Sequence, residues 1–348
     1  MSTQAAPAAN ASPSPWPTVA RAVALLTVSI SLLLTAFAWP SVRSSVHDVP
    51  IAVAGPAPAP AVKQITQILD QRLPDGFEVT EVANTAAAEQ LIRDRKVYGA
   101  IDLTSGTPQV ITASAGSTAV VQTLNSIATG LSQAQGPSTA VAARDLIPLP
   151  ADDPRGAGLA AGALPLVMGG LLAALLLTRL VRGSVRRVTG AFAFAITGGL
   201  AVAAILQFWL GSLDGSYWAN CGAIALTIAA TSLTILGLES TLGYVGFGLG
   251  AATMMLIGNP LSGAGTAPEM LPGWSGTLGQ LLPPGAGGQL LRSTAFFDGH
   301  GATRSAVVLA TWLTLGMVLC LADNLRRRPT ATATVEDAAA QPAMHATL

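Results

Sequence analysis

The chain has 348 residues, is 51% hydrophobic and carries only 10% charged side chains, against about 25% in an ordinary soluble domain. Its formal net charge is zero, which supplies no attraction for a polyanion, so a nucleic-acid partner is not expected. Long charge-free stretches alternate with arginine clusters, and a charge at a bilayer centre costs about 2.5–3.5 kcal/mol. The chain therefore reads as a polytopic α-helical membrane protein, with the lipid bilayer as its solvent.

Residues 1–18 are rich in Ala, Pro and Ser without periodicity and are expected to be a disordered tail. A first span follows at 19–40, near the ~20 residues that cross a bilayer. Ala36-Phe37-Ala38 resembles a signal-peptide cleavage site, but the apolar run exceeds the usual h-region of about 7–15 residues, so a retained anchor is favoured.

Residues 41–154 differ in kind. Ile51–Gly55, Phe77–Val82, Tyr98–Leu103 and Gln109–Ala113 read as strands, and Val141–Leu149 as an extended return to the membrane. Between them, Val62–Leu73, Ala86–Val97 (with Thr85 as N-cap) and Thr118–Leu131 have helical spacing. Alternating strands and helices imply one small extracytoplasmic α/β domain inserted between transmembrane helices 1 and 2.

The membrane domain, 155–328, is expected to hold five further spans: 159–177, 190–210, 218–238, 241–258 and 305–321. Six spans put Arg21, the Arg179–Arg187 cluster and Arg326–Arg328 on one side, which the positive-inside rule makes cytoplasmic. Both termini are then inside, and the protein belongs in the cytoplasmic membrane. The segment 259–303 is apolar but broken by five prolines, which suits short interfacial or re-entrant helices rather than one straight span. A disordered cytoplasmic tail, 329–348, is expected to close the chain.

Several motifs have two readings. Asp152 and Asp153 with Arg155 could hold a divalent cation or form a solvated turn. Glycines at 169–170, 198–199 and 243, 246 and 250 suit close helix packing, or a flexible gate. Glu239 could meet a cytoplasmic partner, cap a short helix or lie at the interface. Gly273-Trp274-Ser275-Gly276 matches the G-x-S-G of intramembrane serine proteases, but the nearest histidine, His300, falls in a glycine-flanked loop. No His-Glu-x-x-His or other zinc cluster is present. Cys221 and Cys320 fall in opposite leaflets of the expected topology, too far apart for a disulfide. No enzyme activity, cofactor or metal is expected.

One large insert after the first span, five more spans and a broken segment before the last form a recognisable plan. It is carried by AEQLIRDRKVYGAIDL (Ala88–Leu103), LPADDPRGAGLAAGALPLVMGG (Leu149–Gly170), GNPLSGAGTAPEMLPG (Gly258–Gly273) and LLPPGAGGQLLRS (Leu281–Ser293). The chain resembles the membrane subunits of type-2 ATP-binding-cassette exporters, in their phage-infection-protein-like branch. The resemblance implies a permease that forms a homo- or heterodimer and moves a hydrophobic or amphipathic solute. It also implies an ATPase-contact loop made by Arg179, Arg182, Arg186 and Arg187, with Glu239 beside it. Candidate gate residues are Asp152, Asp153, Arg155, Asn259, Pro260, Glu269, Pro272, Pro283, Pro284 and Arg292. No G-x-x-x-x-G-K-[ST] is present, so the ATPase is expected to be a separate subunit. The alternative is a non-transporting membrane protein whose external domain binds an envelope component or partner protein.

Overall fold

The computed structural model describes residues 14–56, 60–105, 107–135 and 141–326. Most of both expected tails, the Pro-rich link at 57–59, and Arg327 and Arg328 lie outside the described residues. Helix α1 spans Trp16–Val42, three residues earlier than the expected span, because Pro17 suits the first turn of a helix.

Between α1 and α5 (Ala157–Leu180) the chain builds a five-stranded sheet. Its elements are β1 (Val49–Ala54), α2 (Pro60–Arg72), β2 (Phe77–Val82), α3 (Thr85–Arg93), β3 (Gly99–Asp102), β4 (Gln109–Thr112), α4 (Thr118–Gln135) and β5 (Ala142–Asp145). The strand order is β2-β1-β3-β4-β5, antiparallel only between β3 and β4. The short β3–β4 connection explains that exception, since a parallel neighbour needs a crossover of a dozen or more residues. Ile51 and Val53 point to the face covered by α2 and α4, where Val62, Ile65, Leu69, Val120 and Leu124 meet them. Ala52 and Ala54 point to the other face, under Ala88 and Ile92 of α3. Both faces of β1 are buried, which is why it reads as a continuous apolar run rather than an alternation.

The N-cap of α3 is Asn84, whose side chain accepts from the Ala87 amide, rather than Thr85. Thr85 is drawn away because its hydroxyl donates to Asp102 at the end of β3 (2.7 Å). Burial disfavours the Asp102 carboxylate, but hydrogen bonds from Thr85 and Thr104 outweigh it and hold the carboxyl below its ordinary range.

The remaining helices are α6 (Ser184–Ala204, widening into a π-helical turn over Ile205–Trp209), α7 (Tyr217–Leu242) and α8 (Tyr244–Ala252, with a π-helical end at Thr253–Gly258). They are followed by α9 (Ser275–Gln280), α10 (Pro283–Phe296) and α11 (Ala302–Arg326). Among the described residues, five helices are long and apolar enough to cross a membrane: Trp16–Val42, Ala157–Leu180, Ser184–Trp209, Tyr217–Leu242 and Ala302–Ala322. The chain is a polytopic helical membrane protein. The segment expected as the fifth span is a shorter apolar helix, Tyr244–Gly258. At ~1.5 Å per residue it is about 22 Å long, against a hydrocarbon core of ~30 Å.

Helix α7 is central, with neighbours on nearly every side, and α5, α6, α8, α10 and α11 surround it. Small residues permit this. A Cβ on Gly170 would meet Thr231 at 2.8 Å, and one on Gly199 would meet the Cys221 carbonyl oxygen at 2.8 Å. Asn220 of α7 is fully buried and fully used. Its amide nitrogen donates to the Gln207 side chain (3.1 Å) and the Asp214 carbonyl (2.8 Å), and its oxygen accepts from Thr294 of α10 (2.9 Å). Asn220→Leu takes the donor away from the Gln207 side-chain oxygen and the Asp214 carbonyl, while Thr294 keeps the Leu291 carbonyl, so it is expected to cost about 2–3 kcal/mol. A detergent-solubilised melt that does not fall would count against this account.

Candidate functional site

The segment between α8 and α11 runs out to the α/β unit and doubles back. A Cβ on Gly258, at the end of the π-helical turn, would meet Pro284 at 2.8 Å. The chain then turns through Pro260–Ser262, reaches the α/β unit at Pro268–Met270, and returns through α9. Ser44 and the Ser45 amide both donate to the Met270 carbonyl (3.0 Å each), and Tyr98 donates to Glu269 (2.8 Å). The return ends at Leu281, whose carbonyl accepts from the Trp312 indole (2.7 Å) near the middle of α11. Helix α10 starts there on buried Pro283 and Pro284, which suit its first turn, and climbs beside α7 to Asn220.

A cavity of ≈ 340 Å³ opens where this path meets the α/β unit, lined by Arg95, Tyr98, Glu269, Gln280, Gln289 and Arg304 among others. Arg95 crosses the junction. Its guanidinium donates to the Gln289 carbonyl (3.0 Å) and side chain (2.5 Å) and to Ser293 (2.5 Å), and lies 5.0 Å from the Phe297 ring centroid. Its backbone is left-handed (φ 57°), the turn that closes α3, where the Arg95 amide donates to the Ile92 carbonyl and the Lys96 amide to the Leu91 carbonyl. Burial, and then the like charge of Arg292, push its pKa down to about 10, so it stays charged at neutral pH. Burial and the Glu269 carboxylate push the Tyr98 phenol well up, keeping it a neutral donor.

The candidate gate residues fall into three places. Glu269, Pro272, Pro283, Pro284 and Arg292 belong to this out-and-back path or its helices. Pro272 accepts from Ser275 through its carbonyl (2.7 Å to the hydroxyl), so the serine of the G-x-S-G match is buried and bonded locally, while His300 faces Asp94 (3.4 Å). Asn259 and Pro260 form the turn above α8, with the Asn259 carbonyl accepting from Ser262 (2.7 Å). Asp152, Asp153 and Arg155 lie at the start of α5. Asp153 accepts from the amides of Ala157 (2.8 Å) and Gly158 (2.7 Å), which makes it a helix cap, while Asp152 and Arg155 are exposed.

At the opposite end of the helices, Arg187 ties three elements together. It donates to the Thr178 and Val181 carbonyls (3.0 and 2.8 Å) and pairs with Glu239 at 3.1 Å. Arg187 therefore closes the α5–α6 turn against the end of α7. Arg179 lies 5.4 Å from the Tyr244 ring centroid, and Arg182 and Arg186 point outward.

Comparison with family models, with curated proteins and with solved structures found no match. Function must be argued from the geometry.

Arg95, Tyr98, Gln289 and Ser293 lie in stretches that carry the resemblance but were not among the candidate site residues. Their partners lie 171 to 198 positions away in the chain, so no local pattern flags them. The one weak signal is the run Arg93-Asp94-Arg95-Lys96, which looks like a solvated helix end.

Proposed function

We propose that this chain is the permease subunit of an exporter, moving a hydrophobic or amphipathic solute across the cytoplasmic membrane with energy from a separate ATP-binding-cassette ATPase. The observation that carries the reading is the re-entrant α9–α10 path. Irregular backbone at membrane depth survives only where protein covers it or where it lines a cavity. The outer end of this path lines a polar cavity against the α/β unit, and its inner part is covered by α7 and α11.

In this reading the short helix Tyr244–Gly258 and its continuation complete a sixth crossing. The α/β unit is extracytoplasmic, and both termini are cytoplasmic, in keeping with the arginines of the α5–α6 turn. That turn offers exposed Arg182 and Arg186 to the ATPase, while Arg187 and Glu239 hold the turn and α7 together so that a push on one reaches the other. The exposed apolar sides of α1 face lipid or a second permease subunit.

The test is copurification in mild detergent, followed by reconstitution. A Walker-motif ATPase should copurify, and Arg182→Glu with Arg186→Glu should release it at least tenfold more readily while the chain stays folded. Vesicles holding both subunits should expel an amphipathic dye only with ATP. Lack of both an ATPase and ATP-dependent efflux sinks this reading and favours a binding protein of the envelope.

A further inference from the structure

Arg292 of α10 is the unusual group of this molecule. Only 7% of it is exposed. Its Nε is buried without a hydrogen-bond partner, and its Nη2 makes one long bond, to the Ala264 carbonyl (3.3 Å). Among the described residues no carboxylate lies within ion-pair distance of it, and Arg95 bears on it as a like charge. A buried cation with no counter-charge is strongly unfavourable, so this group calls for an anion.

The space beside it suits one. A cavity of ≈ 90 Å³ is bordered by Arg292, the exposed Arg155 and the hydroxyl-bearing Thr118 and Thr266, and no acidic residue lines it. Two helices begin at its wall. Thr118 is the first residue of α4, and Gly156 and Ala157 are the N-cap and first residue of α5. These helices have 18 and 24 residues, so each presents the positive end of a long dipole. Asp153 caps α5 through the Ala157 and Gly158 amides and offsets part of that end, but it does not line the cavity. Two guanidinium groups and two helix starts thus converge on one small volume.

That volume also limits the ligand. One water needs about 10–15 Å³ of such space, so the cavity accepts a group of a few heavy atoms. The apolar space that Arg292 also borders, between α5 and α10, is only ≈ 20 Å³, about one water, and leaves no place for a hydrocarbon chain. The walls come from separate parts of the chain: Thr118 from the α/β unit, Arg155 and Ala157 from the start of α5, Thr266 from the out-and-back path and Arg292 from α10. We propose that this chain binds a small free oxyanion of phosphate size between Arg292 and Arg155, and that the anion ties the α/β unit to α5 and α10. This goes beyond the export reading and does not rest on it.

The test uses the full chain in maltoside detergent, exchanged into buffer free of phosphate and sulfate, with no ATP. Added inorganic phosphate should raise the melting temperature saturably, whereas chloride at equal ionic strength should not. Arg292→Gln should weaken the phosphate response at least tenfold, and Arg155→Gln about threefold. Thr118→Glu should put a carboxylate at the cavity wall and abolish the response, so it decides the question if Arg292→Gln fails to fold. No phosphate response in the parent overturns the proposal, as does an equal response to chloride. A response within twofold of the parent's in Arg292→Gln or Thr118→Glu overturns it too. So does stabilisation by phosphatidylglycerol with none by inorganic phosphate, which would mark a lipid site. The export reading is tested by ATPase copurification and efflux, so failure here is distinguishable from failure there.

Discussion

Gly316→Leu is expected to abolish the folded protein. A Cβ at Gly316 of α11 would lie 2.4 Å from the Leu233 carbonyl carbon and oxygen and 2.5 Å from the Thr234 nitrogen. A Cβ at Gly237 of α7 would in turn lie 2.6 Å from the Gly316 carbonyl oxygen. These are backbone atoms, so no rotamer change relieves the clash and the helices must part. Parting breaks the Thr234 hydroxyl bond to the Trp312 carbonyl (3.2 Å) and that of Ser240 to the Leu319 carbonyl (3.3 Å). It also opens the central helix to lipid, where close packing rather than hydrophobicity holds helices together. We expect a loss of about 3 kcal/mol or more, seen as aggregation in size-exclusion chromatography. Gly222→Ala, whose Cβ meets nothing within 4 Å, is the control and should be neutral or slightly stabilising. A monodisperse Gly316→Leu protein with an unchanged melt would show that α7 and α11 do not meet in this way.

Arg95→Ala is expected to undock the α/β unit from the helices without unfolding either. Removing the guanidinium deletes three charge-assisted hydrogen bonds and the contact with Phe297, and leaves the buried Ser293 hydroxyl without this partner. Charge-assisted bonds are worth about 1.5–3 kcal/mol each but do not add, so a net loss of roughly 2–4 kcal/mol is reasonable. Limited proteolysis should then cut the joins at residues 43–48 and 146–156 several times faster. Arg95→Lys should not restore resistance, because one ammonium cannot span the Gln289 side chain, its carbonyl and Ser293 together. Resistance equal to that of the parent protein would mean that the remaining junction contacts suffice. Those contacts include the Tyr98–Glu269 bond, the Met270 carbonyl pair, His300 against Asp94, and Ala267, Met270 and Phe297 packed into the core of the α/β unit.

Much of the helical framework was legible in the sequence because lipid imposes a one-dimensional rule. A helix that faces hydrocarbon must be free of charge where it crosses. The gaps between arginines mark α5, α7 and α11 to within five residues at each end, while α6 starts six residues early because its first turns carry Arg186 and Arg187. The strands were legible for a related reason. The alternation over Phe77–Val82 is the period of β2, and the unbroken run Ile51–Ala54 reflects burial on both faces of β1. The stretch read as a fifth span showed its limits only in three dimensions. Composition records that Thr241–Gly258 is apolar, but not that Gly243 turns the chain (φ 63°) and leaves a helix of only about 22 Å, by its ~1.5 Å rise per residue.

The site was less legible. Arg292, Glu269, Pro283 and Pro284 stood among the candidate gate residues, but the two prolines read as breaks in an apolar segment, whereas they start α10. Their surroundings could not be read, since Arg292 gains its meaning from an Nε with no hydrogen-bond partner and Arg95 from partners 194 and 198 positions away.

By itself, the order of residues determined which segments enter the membrane and where a sheet interrupts them, because those depend on local hydropathy and period. Only the tertiary structure decided which charges are paired, which cavity each faces and that the Arg292 guanidinium lies buried with no ion pair among the described residues. Electrostatic pairing depends on distance in space, and residues far apart in the chain carry no local mark of it.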